Sequence, residues 1–415
     1  MNKIKFLHSA LMVLGCLYGV NTASAQSLNS ETEETLTDGI LNLNLGGKNN
    51  RVRIGGFVEA GGHFTEIKNA QNDNGFNVDR ALLNVEGTFN ANTLGFFLQM
   101  DFTQGYPLLD AYATYQPVKG LVLSMGQKQT FTNSRDMMLR DQSTATGEHS
   151  VMSQTFGDTG RELGLFAEYR LPLESVGIDL SAAVTSGDGR NSFGSSSTDP
   201  DCGGLKYGGR ITVYPMGYMK RGNEVVFHDF AREESPKLAI GGAFSYNDGA
   251  SNAVGEGHGD FTMYDSKGDA AYPGLRKLSA DIMFKWQGFT LLADYVNTTG
   301  AKLQDLYTVA SPTGKLQPKE IANYLALGNG FDIQAGYITK DGWAFNVAYN
   351  NVKPEFEETS TSALVEKYAW DAGVAKYFFR NTLKVQLSGN YTHYREVLMQ
   401  PYKNRSVKLN MQLMF

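Results

Sequence analysis

Charged side chains recur at alternate positions in short segments of this 415-residue chain, with apolar residues between them. These charged side chains are the candidate functional groups. Charges of both signs along one wetted face set up an electric field, which sorts ions and small solutes by charge and size. The alternative is that neighbouring pairs, such as Arg53 with Glu86 or Arg80 with Asp101, only stabilise adjacent strands. The candidate lining residues are Arg53, Arg80, Lys128, Arg170 and Arg210 among the bases and Glu86, Asp101 and Asp110 among the acids.

A further group of charges lies between two alternating segments, in residues 129–160. An insertion of this length at the mouth of a channel usually acts on access. We therefore predict that it folds inward and narrows a pore, and the alternative is an exposed loop with no part in permeation. Its charged residues include Arg135 and Arg140 as candidate lining bases, together with Asp136, Asp141 and Glu148.

The histidines give little support for catalysis. None stands in a zinc-binding or redox motif, and the adjacent pair His149-Ser150 is a weak sign of a hydrolase. Asp260 and Asp265 lie near His258, but a solvated loop is favoured there because a cation site needs more converging oxygens. We therefore predict no catalytic residue, no cofactor and no metal. The histidines beyond the N-terminal 25 residues are His63, His149, His228, His258 and His393.

Strands must position the alternating charges, and the last ten residues show the pattern most clearly. Val407, Leu409, Met411 and Leu413 alternate with mostly polar residues, and the chain ends on Phe415. An apolar strand edge left exposed invites aggregation, whereas a closed barrel pairs its last strand with its first. The terminal Phe415 resembles the assembly signal of outer-membrane barrels, so we expect the barrel-assembly machinery to bind this strand.

About sixteen such segments recur, and their connections alternate in length. The even connections are mostly short turns, and the odd ones are mostly long, which is typical of short periplasmic turns and long extracellular loops. Two connections break the pattern, because 104–107 is short and 216–237 is long. We predict an all-β transmembrane antiparallel barrel with 129–160 as its infolded constriction loop. The expected long loops are 61–79, 129–160, 186–205, 247–274, 298–329, 352–366 and 394–405.

The N-terminus predicts export. Basic residues, a short apolar stretch and an A-x-A site predict a signal peptide over 1–25, followed by a solvated periplasmic lead-in over 26–50 and the barrel over 51–415. A lipid-modified Cys16 is the alternative N-terminus. After cleavage only Cys202 remains, to which we assign no role, so no internal disulfide can form. Aromatic content of 12% suits two interfacial girdles, and a net charge of −6 argues against nucleic-acid binding.

Several outward positions follow from the same alternation. Apolar residues such as Leu83, Leu98 and Leu165 should face lipid, and the three tryptophans, Trp286, Trp343 and Trp370, lie near strand ends as interfacial anchors would, with buried packing as the alternative. Lys376 shares the outward register and is expected to reach the periplasmic rim; otherwise the face assignment of its strand is wrong.

The order of several motifs resembles the phosphate-selective porin O/P family. These motifs are the run from Phe76 to Gly87 (FNVDRALLNVEG), then Leu98-Gln99-Met100-Asp101-Phe102, Leu109-Asp110-Ala111-Tyr112, Gly126-Gln127-Lys128 and Gly209-Arg210-Ile211-Thr212-Val213-Tyr214-Pro215. The resemblance covers most of the mature chain and is strongest over 50–130. It implies a sixteen-stranded barrel, often a homotrimer, that passes anions such as phosphate along a ladder of basic side chains.

We accordingly predict a porin of the outer membrane of a Gram-negative bacterium, in contact with membrane lipid and passing small anionic or hydrophilic solutes by passive diffusion. Acidic residues share the register of the basic ones, so the sequence leaves anion and cation preference open. The alternatives are an outer-membrane barrel hydrolase and a substrate-binding barrel without an open pore.

Overall fold

A computed structural model describes residues 41–44, 50–68, 70–191, 203–257, 259–311, 313–379, 382–395 and 403–415. The predicted signal peptide, Cys16, Cys202 and His258 lie outside these residues, as do parts of the expected loops 186–205 and 394–405. Among the described residues, no helix is both long and apolar enough to cross a membrane.

Sixteen of the described strands, β2 to β17, form a closed antiparallel barrel, which confirms the predicted fold class. Each strand pairs with the next along the chain, and β17 pairs with β2 to close the barrel. The strands are β1 (Leu41–Asn44), β2 (Arg51–Ile67), β3 (Asp73–Phe89), β4 (Leu94–Asp101), β5 (Leu108–Val118), β6 (Leu121–Gln129), β7 (Arg161–Pro172), β8 (Gly177–Thr185), β9 (Lys206–Tyr214), β10 (Lys237–Asn247), β11 (Gly274–Trp286), β12 (Phe289–Ala301), β13 (Gly328–Ile338), β14 (Trp343–Pro354), β15 (Lys367–Phe378), β16 (Leu383–Tyr394) and β17 (Lys403–Met414).

The alternation seen in the sequence separates an apolar outer face from a polar inner face. Outward residues such as Leu165, Ile240 and Met411 are exposed, while the polar inward residues Lys277 and Asp332 are buried in the lumen. A strand places successive side chains on opposite faces, so a period of two produces this division without any further signal.

The outward lysine and tryptophans lie near the ends of the strands. Trp286 and Trp370 are exposed on the outer face. The Lys376 ammonium lies 5.1 Å from the ring centroid of Trp343 and donates to the Asp341 carbonyl oxygen at 2.6 Å. A lysine in the outward register thus carries its charge to a turn at the barrel rim, as predicted.

The first and last strands meet at a tightly paired seam. Phe415 and Gly56 exchange two backbone hydrogen bonds, of 2.7 and 2.9 Å. From Ile54 back to Arg51 the same edge of β2 pairs with β1, in which Leu41 lies opposite Ile54. Four residues of the predicted solvated lead-in therefore form a strand, which covers the part of the β2 edge that β17 is too short to reach.

The two ends of the barrel differ in their connections, so we call them the loop end and the turn end. The expected long loop 61–79 is corrected, because β2 and β3 continue as a ribbon and only 68–72 connects them. The alternation continues along that ribbon through Phe64 and Phe76. The connection 102–107 is also short, so β2 to β5 have only short connections at the loop end.

The opposite side of the loop end carries a packed cap. Residues 248–273 and 302–327 share an apolar cluster in which Met263, Leu306 and Ile321 are buried. The short helical segments of the described residues lie in this cap and in the connections that enter the lumen: α1 (Val151–Phe156) and the 3₁₀ turns Asp136–Met138, Asp141–Ser143, Asn223–Val225 and Pro318–Asn323. Access from this end is therefore restricted on the β10 to β15 side.

Candidate pore constriction

Residues 130–160, the constriction loop, cross the lumen and contact strands on the far side. The backbone N–H groups of Arg135 and Asp136 donate to the Asp294 carboxylate at 2.8 and 3.0 Å. The Arg135 Nε donates to Asp281 at 2.5 Å, and the Gln334 side chain donates to Asp136 at 2.9 Å. These partners lie on β11, β12 and β13, whereas the loop leaves the wall at β6. The predicted infolding is therefore present.

The end of the constriction loop is held by Arg161, the first residue of β7. Its guanidinium donates to Asp110 at 3.0 Å, to Gln99 at 2.8 Å and to the loop carboxylate of Asp141 at 3.1 Å. The arginine and both carboxylates are buried. A guanidinium presents several donors in a fixed planar arrangement, so it can link two strands and the loop in one geometry.

His149 links two carboxylates of the same loop. Its Nδ1 lies 3.5 Å from Asp136 and its Nε2 lies 3.8 Å from Asp141. Burial by itself lowers the pKa of His149, but the neighbouring carboxylates of Asp136 and Asp141 outweigh it and raise the pKa to about 9. The imidazolium in turn holds the pKa of the Asp136 carboxyl below its ordinary value, against the effect of burial. At neutral pH the loop therefore contains an imidazolium between two carboxylates.

We expect the constriction loop to loosen as the pH rises through about 9. A folded-state pKa raised from 6.5 to about 9 gives a stabilisation that is complete below pH 6.5 and lost as the folded imidazolium deprotonates. Its size is roughly 3 kcal/mol. His149→Gln should show the same loosening at neutral pH, measured as faster proteolytic cleavage within 130–160. His63→Gln, on the β2–β3 ribbon, is the control, and equal cleavage of both variants at pH 7 would contradict the assignment.

A second segment enters the lumen from the turn end. Residues 215–236, the turn insert, correspond to the long connection 216–237 that broke the sequence pattern. Lys285 on β11 donates to the carbonyl oxygens of Asn223 and Val226 at 2.6 Å each and thereby fixes the insert against the wall. The insert meets the constriction loop at two backbone hydrogen bonds, one of which joins the Phe227 N–H to the Ser143 carbonyl oxygen at 3.1 Å.

The turn insert contains a histidine that is neutral. Burial, together with the positive charges of Lys285 and Lys384, lowers the pKa of His228 to about 3. Its ring packs edge-on against Phe227 and Tyr377. The two infolded segments cover the inward faces of β10 to β15, where side chains such as Asp281, Lys285 and Asp332 are buried.

An open cavity of about 630 Å³ remains toward the loop end, lined by residues of β17, β2 to β5 and β7, by the constriction loop and by residues 252–254. Its lining includes six carboxylates, three basic side chains and one histidine, so carboxylates are in excess. Asp79 forms no ion pair within the described chain and is held by the amides of Asn77 and Asn410. The charged lining residues are Glu59, Asp79, Asp101, Asp141, Glu148 and Asp158, with Arg80, Arg161, Lys408 and His149. We call this cavity the vestibule.

Each predicted lining base that reaches the open part of the lumen faces a carboxylate. Arg53 pairs with Glu86 at 2.6 Å, and Arg80 lies 3.9 Å from Asp101 and 3.7 Å from Asp141. Both cross-strand pairs suggested by the sequence are therefore present. Lys128 pairs with Glu168, and Arg170 pairs with Asp179 and Glu224. The Arg140 N–H donates to the Val225 carbonyl oxygen, and the Arg140 guanidinium lies near Glu224 and Glu86.

Two of the predicted lining bases are buried and do not line an open part of the lumen, which corrects their assignment. Arg135 and Arg210 are buried on either side of the Asp281 carboxylate, and Arg210 also approaches the carbonyl oxygens of Phe131 and Asn133 at 3.4 Å. Asp110 is buried as well, and it accepts hydrogen bonds from the Arg161 Nε and the Gln129 N–H at the two ends of the constriction loop. Arg135 and Arg210 both bind Asp281, and Arg210 lies against the first residues of the constriction loop. These contacts hold the loop against the wall.

The sequence did not single out Arg161, Lys285 or Asp294, which fix the infolded segments. All three stand on inward positions of strands, and this register was the only signal available for them. Arg161 also ends the long insertion, a position from which a side chain can reach both the wall and the loop. The distinguishing fact, a partner far away in the chain, appears only when the barrel closes.

No protein-family model matches the chain, and no curated protein matches it. Solved structures do. The outer membrane channel DcaP of Acinetobacter baumannii is 12% identical, with a TM-score of 0.56, covering 91% of this chain and 100% of its own. In-vitro folded OmpT, an outer membrane protein of Vibrio cholerae, is 11% identical with a TM-score of 0.52, covering 89% and 99%. Salmonella typhi OmpF in complex with daunomycin is 12% identical with a TM-score of 0.51, covering 88% and 98%. At these identities the similarity shows a shared barrel fold.

Proposed function

We propose that this protein is a porin of the outer membrane of a Gram-negative bacterium that lets small hydrophilic solutes diffuse passively. The observation that carries the proposal is a closed barrel with an apolar exterior, whose polar lumen is narrowed but not filled by an infolded loop. An apolar outer band is stable in contact with lipid, and a water-filled lumen is lined by charged side chains that stay partly solvated. No cofactor is needed for this activity.

The apolar exterior of the barrel supports the same location. We further propose export by the signal peptide predicted over 1–25, and binding of the barrel-assembly machinery to β17, after which Phe415 pairs with Gly56 at the seam. The loop end would face the outside and the turn end the periplasm. We further propose a homotrimer, for which the support is the sequence resemblance to a porin family that often assembles in this way.

Passage would follow the wall from β2 to β8. Along this wall Glu86, Glu168 and Arg170 keep 39, 42 and 44% of their side chains exposed, in contrast to the buried charges beneath the constriction loop. Solutes would be sorted first by size at the loop and then by the field between carboxylates and bases on facing walls. These partly exposed charges are the ones to which we assign selectivity, together with Arg53, Arg80, Lys128 and Arg140.

The charges of the lumen favour cations and zwitterions over phosphate. The family resemblance implies a basic ladder, but here every candidate base faces a carboxylate, and the vestibule has more carboxylates than bases. A channel wall with net negative charge raises the local concentration of cations. We therefore propose a modest cation preference, in which the barrel scaffold of the resembling family is kept without its phosphate selectivity.

A barrel hydrolase is not favoured by any contact in the described chain. The His149 imidazole lies between two buried carboxylates of the constriction loop, and the Ser150 hydroxyl accepts the Ser153 N–H at the start of α1. Both groups therefore have structural partners that account for them. We propose a protein without enzymatic activity.

The test is the current through single molecules in planar bilayers under a KCl gradient, with phosphate added afterwards. We expect stable open channels, a reversal potential of the sign given by a cation preference, and no block by phosphate. Folded protein that never conducts would refute the porin proposal. An anion-side reversal potential with phosphate block would keep the porin and refute the proposed cation preference.

A further inference from the structure

A patch of basic side chains lies on the outer surface at the loop end, where β16, β17 and β2 meet. Arg405 and Lys403 occupy the outward register of β17, the register of Val407 and Leu409. Arg405 stands beside Tyr391, Lys403 stands beside His393, and the Lys68 N–H donates to the Lys403 carbonyl oxygen at 3.0 Å. We call His393, Lys403 and Arg405 the rim patch.

An aromatic belt lies directly beside the rim patch. The rings of Tyr349 and Trp370 are 4.6 Å apart, and those of Tyr368 and His393 are 5.0 Å apart. The Arg405 guanidinium lies 5.8 Å from the ring centroid of Tyr391. Tyr and Trp concentrate where hydrocarbon meets water, so this belt marks the level of the outer membrane–water interface.

The height of the rim patch follows from the strand. Arg405 is two residues beyond the apolar outward residue Val407, and Lys403 is two residues further. With a rise of about 3.4 Å per residue and strands tilted by about 45°, each such step moves about 5 Å outward. The two cations therefore lie just outside the hydrocarbon, at the level of lipid headgroups.

The carboxylates described near Arg405 and Arg395 hold these arginines at long distances. Glu66 on β2 lies 3.8 Å from Arg405, and Glu366 lies 3.5 Å from the nearby Arg395, which adds a further base above the patch. Exposed ion pairs of this length are weak, so Arg405 can exchange Glu66 for a stronger anion. The turn end offers no equivalent at Lys376, whose ammonium is held by the Asp341 carbonyl oxygen.

We propose that the rim patch binds the phosphate groups of a phosphorylated glycolipid in the outer leaflet of the membrane. Arg405 would bind phosphate oxygens in a bidentate manner and Lys403 as a point charge, while the aromatic belt packs against the lipid. The inference rests on the proposed location in the outer membrane, because only there does the loop end face a glycolipid leaflet. It does not depend on whether the channel prefers cations or anions.

The test uses the full-length protein in detergent micelles, with its thermal unfolding measured with and without lipopolysaccharide. We expect lipopolysaccharide to raise the unfolding temperature by several degrees, and the same lipid without its phosphate groups to have little effect. Lys403→Gln/Arg405→Gln should lose most of this rise. The matched control, Arg276→Gln/Lys302→Gln, removes two charges at the loop end on the other side of the barrel and should keep it.

The outcomes separate the inference from the proposed function. An equal rise for both double variants, or for lipid without phosphate, would overturn the rim patch as the site. An equal rise with inorganic phosphate alone would overturn the assignment to a lipid. Each variant is first shown to fold by its heat-modifiable gel shift, and Arg405→Gln alone serves if the double variant does not fold. Conductance in planar bilayers should be unchanged in all of them, whereas failure of the porin proposal would abolish it in the wild type too.

Discussion

Replacing Arg161 with methionine is expected to release the constriction loop from the wall, at a cost of about 3–5 kcal/mol to the anchored state. The guanidinium is 6% exposed and contacts Asp110, Asp141 and Gln99. Removing one partner from a buried ion pair leaves the other charges desolvated and uncompensated. Arg80 lies 3.7 Å from Asp141 and can recover part of this loss, so the lower end of the range is expected.

The effect of Arg161→Met is measured as the rate of proteolytic cleavage within 130–160 in rising urea, and as current noise in single channels. Cleavage should begin at lower urea than in the wild type, and the open current should fluctuate between levels. Arg170→Met is the matched control, because its ion pairs with Asp179 and Glu224 are partly solvated and such pairs contribute about 0–1 kcal/mol. If the two variants behaved alike, Arg161 would not be the anchor of the loop.

Local sequence patterns were sufficient for the barrel and for the pairs that neighbouring strands make. The alternation in β17 placed Val407 and Leu409 outward, and the register of β2 and β3 brought Arg53 to Glu86. These features depend on residues one or two positions apart or on adjacent strands. A period of two and a count of turns therefore predict them directly.

Contacts across the lumen could not be predicted in the same way. Arg135 lies 146 residues from Asp281 in the sequence, and Arg210 lies 71 residues from it, yet both share that carboxylate. Alternation shows that all three side chains can reach the lumen. It carries no information on which facing strands an infolded loop will touch, because that depends on the diameter of the closed barrel and on the path of the loop.

The turn insert illustrates the same limit. Its length marked 216–237 as an exception, but length alone does not distinguish a projecting loop from one that folds into the barrel. The deciding contacts are those of the Lys285 ammonium with carbonyl oxygens of the insert. From the sequence, a lysine in the inward register would be interpreted as a charge lining the lumen. In the structure, the Lys285 ammonium instead donates hydrogen bonds to backbone carbonyl oxygens of the turn insert, which occupies that part of the lumen.

Solutes are proposed to pass along the β2 to β8 wall and not along the side of the lumen that the constriction loop and the turn insert cover. Two inward positions distinguish the two sides. The Glu86 side chain is 39% exposed, while Asn350 on β14 is fully buried and donates to Asp371. A cysteine at either position would point into the lumen. A difference in their reactivity therefore shows which side of the lumen is open to the reagent, and not which face of the strand the cysteine is on.

The measurement is the single-channel current of Glu86→Cys and Asn350→Cys, each made in a Cys202→Ser background, during exposure to a positively charged methanethiosulfonate reagent in KCl. We expect Glu86→Cys to react and its current to fall in a discrete step, because the attached group narrows the open path and adds positive charge to it. Asn350→Cys should keep its current over the same time. Rapid reaction at position 350, with position 86 unaffected, would contradict the account and place the passage on the side that the constriction loop and the turn insert fill.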